Sequence, residues 1–277
     1  GRMTAIEVSS PMPGVVTDPG AALRLRWAAA DTAAVLWRDT IRTLRQPEML
    51  AFAVVMGSFF LILFNYVFGG SIGAGAGIDY LQFLVPGVLV ITALNGAQQT
   101  SMGLGADLAE GVTDRFRSLP MSQVAVIAGR TLADAGRNVV GLTLVALLGL
   151  LMGYRFASVP EAVGAVLLAP GLGFALSGLG AAIAAKVRQP DMVGMVSMVW
   201  LFPMMLASTA FAPAETMPGW LQPFARFQPV SVTADAVRGL ADGSLDTTDL
   251  WLSLLWIAGM LAVFVPLSVR LYTAPDQ

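Results

Sequence analysis

Six runs of about twenty apolar residues, each almost free of charge, recur along this chain at roughly 49–68, 80–104, 133–154, 162–185, 192–211 and 250–269. A helix needs about 20 apolar residues to cross the ~30 Å hydrocarbon core of a bilayer. Backbone groups in lipid must be satisfied within the chain, which favours helices. The runs therefore predict an all-α, polytopic membrane protein with six transmembrane helices. Only 12% of the 277 residues are charged, against about 25% in a soluble domain. No soluble domain fits between or beyond the spans, and no internal repeat stands out. Residues 1–21 are rich in Pro and Gly and read as a disordered tail with no cleavable signal. Gly1-Arg2, ahead of Met3, reads as a cloning scar.

Arginine placement orients the spans. With both termini inside, the cytoplasmic side holds Arg24, Arg26, Arg38, Arg42, Arg45, Arg115, Arg117, Arg130, Arg137, Lys186, Arg188 and Arg270. The outer side holds Arg155, Arg226 and Arg238. The net charge of −2 offers nothing to a nucleic acid. The chain has no Cys and no His, which removes thiol nucleophiles, disulfides and His-based acid–base chemistry. No catalytic, metal or cofactor residues are expected. The sole lysine, Lys186, is followed by Val187. A phosphate-binding loop needs Gly-Lys-Ser/Thr, so ATP would have to be bound elsewhere.

Within the 22–46 segment, Trp37, Ile41 and Leu44 form one helical stripe, and Arg38, Arg42 and Arg45 form another about 100° around it. Such a helix lies in the membrane plane with its arginines on lipid phosphates. It serves either as a topology anchor or as a lever into the first span, and Pro47 ends it. Arg130, Asp134 and Arg137 share a face at the inner end of the third span. They form either a structural ion cluster or a proton relay. Asn95, Gln98, Gln99, Thr100 and Ser101 on the second span could line a substrate path or bond between helices. Gly171, Gly173, Ser177, Gly178 and Gly180 on the fourth suit close helix packing. The long outer connection at about 212–249 places Trp220, Phe224 and Phe227 at i, i+4, i+7. They mark either an aromatic interface anchor or a pair of short helices dipping into the outer interface.

The segment 107–121 stands apart because it concentrates charge between two apolar runs: Asp107, Glu110, Asp114, Arg115 and Arg117. Asp107 can cap a short cytoplasmic helix over about 107–118, and Pro120 stops it. A solvated connection needs only a few polar residues, so this density of charge points to a docking surface.

These features resemble the permease subunit of type-2 ABC exporters, in the daunorubicin-resistance group. The resemblance covers about residues 22–272. It is carried by Arg45-Gln46-Pro47, by Glu110-Gly111 through Arg115 to Pro120-Met121-Ser122, by Met217-Pro218-Gly219-Trp220, by Gln228-Pro229-Val230-Ser231, and by Ala236-Val237-Arg238 through Gly243. Gln228 stands where many members have Asn, and Val112-Thr113-Asp114 where many have Thr-Leu-Glu. The resemblance implies that 107–118 is a coupling helix seated in a separate ATP-binding subunit, which would bind ATP and Mg. Asp107, Glu110, Gly111, Asp114, Arg115, Arg117 and Pro120 would make that contact. The amphipathic segment would be an interface helix beside it. A second permease chain, identical or paralogous, would face the first and fifth spans. The segment 212–249, with Trp220, Phe224, Phe227 and Arg238, would form a short re-entrant cap in the outer face of a bacterial inner membrane. The cargo would be an amphiphilic drug, polyketide or lipid. A secondary carrier or channel would instead need intramembrane charges or broken-helix ion sites. A non-transporting scaffold would use the same docking helix without substrate.

Overall fold

The computed structural model describes residues 47–109, 123–187 and 189–273. The expected tail, the interface helix with Trp37, Arg38, Ile41, Arg42 and Arg45, and the coupling residues Glu110, Gly111, Asp114, Arg115, Arg117 and Pro120 lie outside the described residues.

Among the described residues the fold is helical without a strand. The spans are α1 (Pro47–Ala76), α2 (Tyr80–Ala109), α3 (Gln123–Met152), α4 (Val159–Val187), α5 (Pro190–Leu206) and α8 (Thr247–Thr273). Between α5 and α8 lie a 3-10 turn (Ala214–Thr216), α6 (Gln222–Phe227) and α7 (Pro229–Asp242). Among the described residues, four helices are long and apolar enough to cross a bilayer, within α2, α3, α4 and α8; Val54–Gly70 of α1 and the whole of α5 are shorter apolar helices. The protein is an all-α, multi-pass membrane protein.

Local chemistry sets the ends of these helices. Asp79 Oδ1 accepts the N–H groups of Leu81 and Gln82 and caps α2. Gly243 ends α7 in the left-handed region, at φ 70°, which a side chain would resist. Asp107 falls in the last turn of α2, so the helix of the second span runs through it. The sequence reading made Asp107 the start of a separate helix; here the α-helical hydrogen bonding continues unbroken to Ala109.

Helix α2 is the hub. Leu84, Val85, Val88, Leu89, Val90, Ile91 and Leu94 are buried, and α2 packs against α1, α3, α4, α5 and α7. In lipid the gain comes from close packing and interhelical hydrogen bonds rather than from escape from water. The small residues of α4 serve that packing. A Cβ at Gly173 would sit 2.6 Å from the Ala93 carbonyl oxygen, and one at Gly180 would overlap Ser101.

The fifth span differs from its expected 192–211. Helix α5 has 17 residues and stops at Leu206. Its length is ~25 Å at 1.5 Å per residue, short of the hydrocarbon core. The apolar run continues to Phe211, but its last residues are irregular backbone lodged against α2 and α7. Irregular backbone at such depth is tolerated only where the protein itself satisfies it.

Candidate functional site

The element that satisfies it is α7. Gln228 has φ −68° and ψ 151°, the extended conformation that a residue before proline prefers. Pro229 then occupies the first turn, where its missing N–H costs nothing. The chain thus makes a sharp α6–α7 hairpin. Helix α7 has 14 residues, ~21 Å, too short to span. It is nonetheless buried along most of its length, at Val230, Ser231, Val232, Thr233, Ala234, Ala236, Val237 and Ala241. It packs on α2, α4 and α8. It is a short helix buried within the bundle, not a span.

Polar side chains of this hairpin complete the broken end of α5. Gln228 Nε2 donates to the Ala207 carbonyl at 2.7 Å. Ser231 Oγ accepts the Thr209 N–H at 3.0 Å. Thr209 Oγ1 donates to the Asp235 carboxylate, 3.2 and 3.3 Å from its two oxygens. The centre of the network is Arg238. Its Nε and Nη2 each donate to the Phe83 carbonyl at 3.2 Å, and Nη2 also reaches the Thr209 carbonyl at 3.2 Å. Nη1 pairs with Asp235, and the guanidinium carbon lies 3.8 Å from the centroid of the Phe83 ring. Only the planar fork of arginine can hold two carbonyls and a carboxylate together while stacking on a ring. Pro86 lies inside α2 nearby and supplies no N–H to the Gln82 carbonyl, one residue before Phe83.

The other contacts bind the same region. Tyr80 Oη donates to the Phe211 carbonyl at 2.9 Å. The Phe211 ring stacks on Phe64 of α1 with centroids 4.4 Å apart. A Cβ at Gly87 would overlap the Ala210 backbone, so only glycine admits the loop this close to α2. Thr233 and Ser253 share a hydrogen bond of 3.0 Å between α7 and α8. Thus α1, α2, α5, α7 and α8 are joined around one polar knot.

Of the residues expected in this segment, Arg238 is the keystone. Trp220, Phe224 and Phe227 are all exposed, Trp220 in the turn before α6 and the two phenylalanines on it. Arg226 pairs with Glu215 at 2.9 Å and ties α6 to the 3-10 turn. Sequence reading missed Asp235, Thr209, Phe83 and Tyr80, and had Ser231 only as part of a motif. The available signal was Asp235-x-x-Arg238, an i,i+3 ion pair on a helix otherwise lined by small and apolar residues.

The α2 polar residues take different roles. Gln98 Nε2 approaches the Gly194 carbonyl of α5 at 3.4 Å, which is helix–helix contact. Asn138 Nδ2 of α3 donates to the Ala93 carbonyl at 3.1 Å, and its amide fills the space beside Gly96. Thr92, Thr100 and Ser101 return their hydroxyls to carbonyls one turn back. Asn95 and Gln99 are half-buried. At 100° per residue they lie between the direction of Gln98, facing α5, and that of Gly96, facing α3. At the base of α3, Arg137 pairs with Asp134 at 2.9 Å, both side chains largely buried. Of Arg130 only the helical backbone is described.

A sequence profile of ABC-2 type transporters matches residues 31–241. The chain belongs to this family. It is 38% identical over 274 residues to the daunorubicin resistance ABC transporter permease protein DrrB1 of Streptomyces coeruleorubidus, covering 96% of this chain and 95% of that one. It is 27% identical over 254 residues to the probable doxorubicin resistance ABC transporter permease protein DrrC of Mycobacterium tuberculosis, covering 91% of each. A putative transport permease, ycf38, of Cyanophora paradoxa is 24% identical over 206 residues, 72% of this chain and 70% of that one. The span matched to the ABC-2 family takes in the 107–121 segment and the Arg238 knot, and ends one residue before the end of α7. The chain is thus a transmembrane permease of the ABC type.

Proposed function

We propose that this ABC-2 permease exports amphiphilic drugs, polyketides or lipids, driven by ATP bound with Mg on a separate subunit. The observation that carries this reading is the similarity, along nearly the whole chain, to permeases named for daunorubicin and doxorubicin resistance. Two features of the chain support it. The sole lysine has no phosphate-loop context, so the energy source has to lie in a partner. Ionisable residues are nearly absent from the spans, the exceptions being Asp134 and Arg137 at one end of α3, whereas ion-coupled carriers place such groups deeper inside the bundle.

In this reading the segment 107–118 docks on the ATPase, and ATP-driven closure reaches the spans as rigid-body motion. Both termini face the cytoplasm of a bacterial inner membrane. A second permease chain meets exposed apolar faces of α1 and α5, such as Phe59 and Ile62 on one and Met195, Val199 and Phe202 on the other. Asn95 and Gln99 then border the seam. Two amides facing plain lipid are unfavourable, so a polar path between two permeases suits them. The α6–α7 hairpin closes the outer end.

Charge reversal at Glu110 and Arg117 tests the coupling role. The expected result is an intact complex whose ATP hydrolysis no longer drives transport. Normal transport in both variants would remove that role from this helix.

A further inference from the structure

A groove of about 710 Å³ runs between α3 and α4. Val139, Leu147 and Leu150 form one wall, Val163 and Leu167 the other, and Arg155 with Ser158 stands at one end. From Val139 to Leu150 the groove is ~16 Å long at 1.5 Å per residue, about half of a ~30 Å hydrocarbon core. It therefore extends through one leaflet and stops where α3 ends, at the level of Arg155.

The polar groups inside are already used: Thr143 Oγ1 donates to the Val139 carbonyl at 2.8 Å. The body of the groove can take only hydrocarbon. The mouth is cationic. Arg155 is exposed, and its guanidinium makes no ion pair among the described residues. Glu161 is the acidic group on the neighbouring turn. It faces away, with Oε1 3.2 Å from where a Cβ of Gly243 would lie.

We propose that this groove is a binding site for an anionic glycerophospholipid, with one acyl chain along the α3–α4 seam and its phosphate on Arg155. The occupant is chosen by three matched properties: leaflet-length apolar walls, one cation, and its position at the membrane interface. The site is separate from the seam proposed for substrate, so its failure leaves the export reading intact.

Native mass spectrometry of the full chain, taken from vesicles of phosphatidylcholine and phosphatidylglycerol, tests this. The wild type should retain phosphatidylglycerol in preference to phosphatidylcholine. Arg155→Ala should lower that retention about fivefold, as one basic residue at a membrane surface contributes ~1 kcal/mol. Val163→Trp, which fills the groove without touching charge, should lower retention of both lipids. Arg226→Ala removes an outer arginine outside the groove and should change neither. Equal retention of the two lipids by the wild type, or unchanged retention in both groove variants, would overturn the proposal. So would a shift of Val163→Trp from a higher oligomer to a smaller one, since that would make a second copy the occupant.

Discussion

Arg238 ties α2, the residues after α5 and α7 together at one end of the bundle. Arg238→Met keeps the length of the side chain and its apolar stem. It deletes three bonds to the carbonyls of Phe83 and Thr209, the pair with Asp235 and the stacking on Phe83. The Asp235 carboxylate is left with Thr209 Oγ1 as its hydrogen-bond partner. Breaking a fully buried pair from one side costs about 3–5 kcal/mol because the remaining charge is uncompensated; the Asp235 side chain is 34% exposed, so about 1–3 kcal/mol is expected here. At about 2–4 °C per kcal/mol for a chain of this order of size, and with the three carbonyl bonds lost as well, the thermal midpoint in detergent should fall by roughly 4–12 °C. Arg238→Lys retains charge but cannot reproduce the fork and should fall between. Asp235→Asn/Arg238→Met removes both charges and should cost less than the sum of the two single changes. A midpoint for Arg238→Met within about 2 °C of the wild type would show that α7 is not held by this knot.

Gly87→Val drives a side chain into the Ala210 backbone. Overpacking costs about 1–3 kcal/mol, and because backbone yields poorly the upper end is expected, read as a lowered thermal midpoint. Gly259→Ala is the control: its Cβ meets nothing within 4 Å, so this change should raise the midpoint slightly through helix propensity. Asp246 accepts the Thr248 N–H at 2.8 Å, and this bond holds its carboxyl below the usual range. Its contribution is present at neutral pH and lost as pH falls through that lowered value. Hydrogen exchange at Thr248 should therefore accelerate in acid in the wild type and be independent of this titration in Asp246→Asn.

The number of apolar helices and their approximate centres were legible because hydropathy reports directly on burial in lipid. The end of α5 was not. Ala207 to Phe211 is apolar enough to continue a span, and what stops it is a set of donors and acceptors more than twenty residues further on, at Gln228, Ser231, Asp235 and Arg238. No local pattern encodes such a partnership. The small residues of α4 were read correctly as packing surface, because Gly173 and Gly180 can only bring backbones together. The hydroxyls of α2 were harder. Thr100 and Ser101 turn back on their own helix, while Asn138, a residue on another span, makes the cross-helix bond. Composition alone does not distinguish a side chain that bonds one turn back from one that bonds outward.

ATP dependence of transport is the most direct test of the central claim. The chain is reconstituted in vesicles with its nucleotide-binding subunit, and movement of a fluorescent anthracycline is followed. A permease powered from outside its own chain should move the drug only with hydrolysable ATP and Mg present, and should be insensitive to a proton uncoupler. Movement that persists without ATP and stops with the uncoupler would contradict the claim and make this chain a secondary carrier.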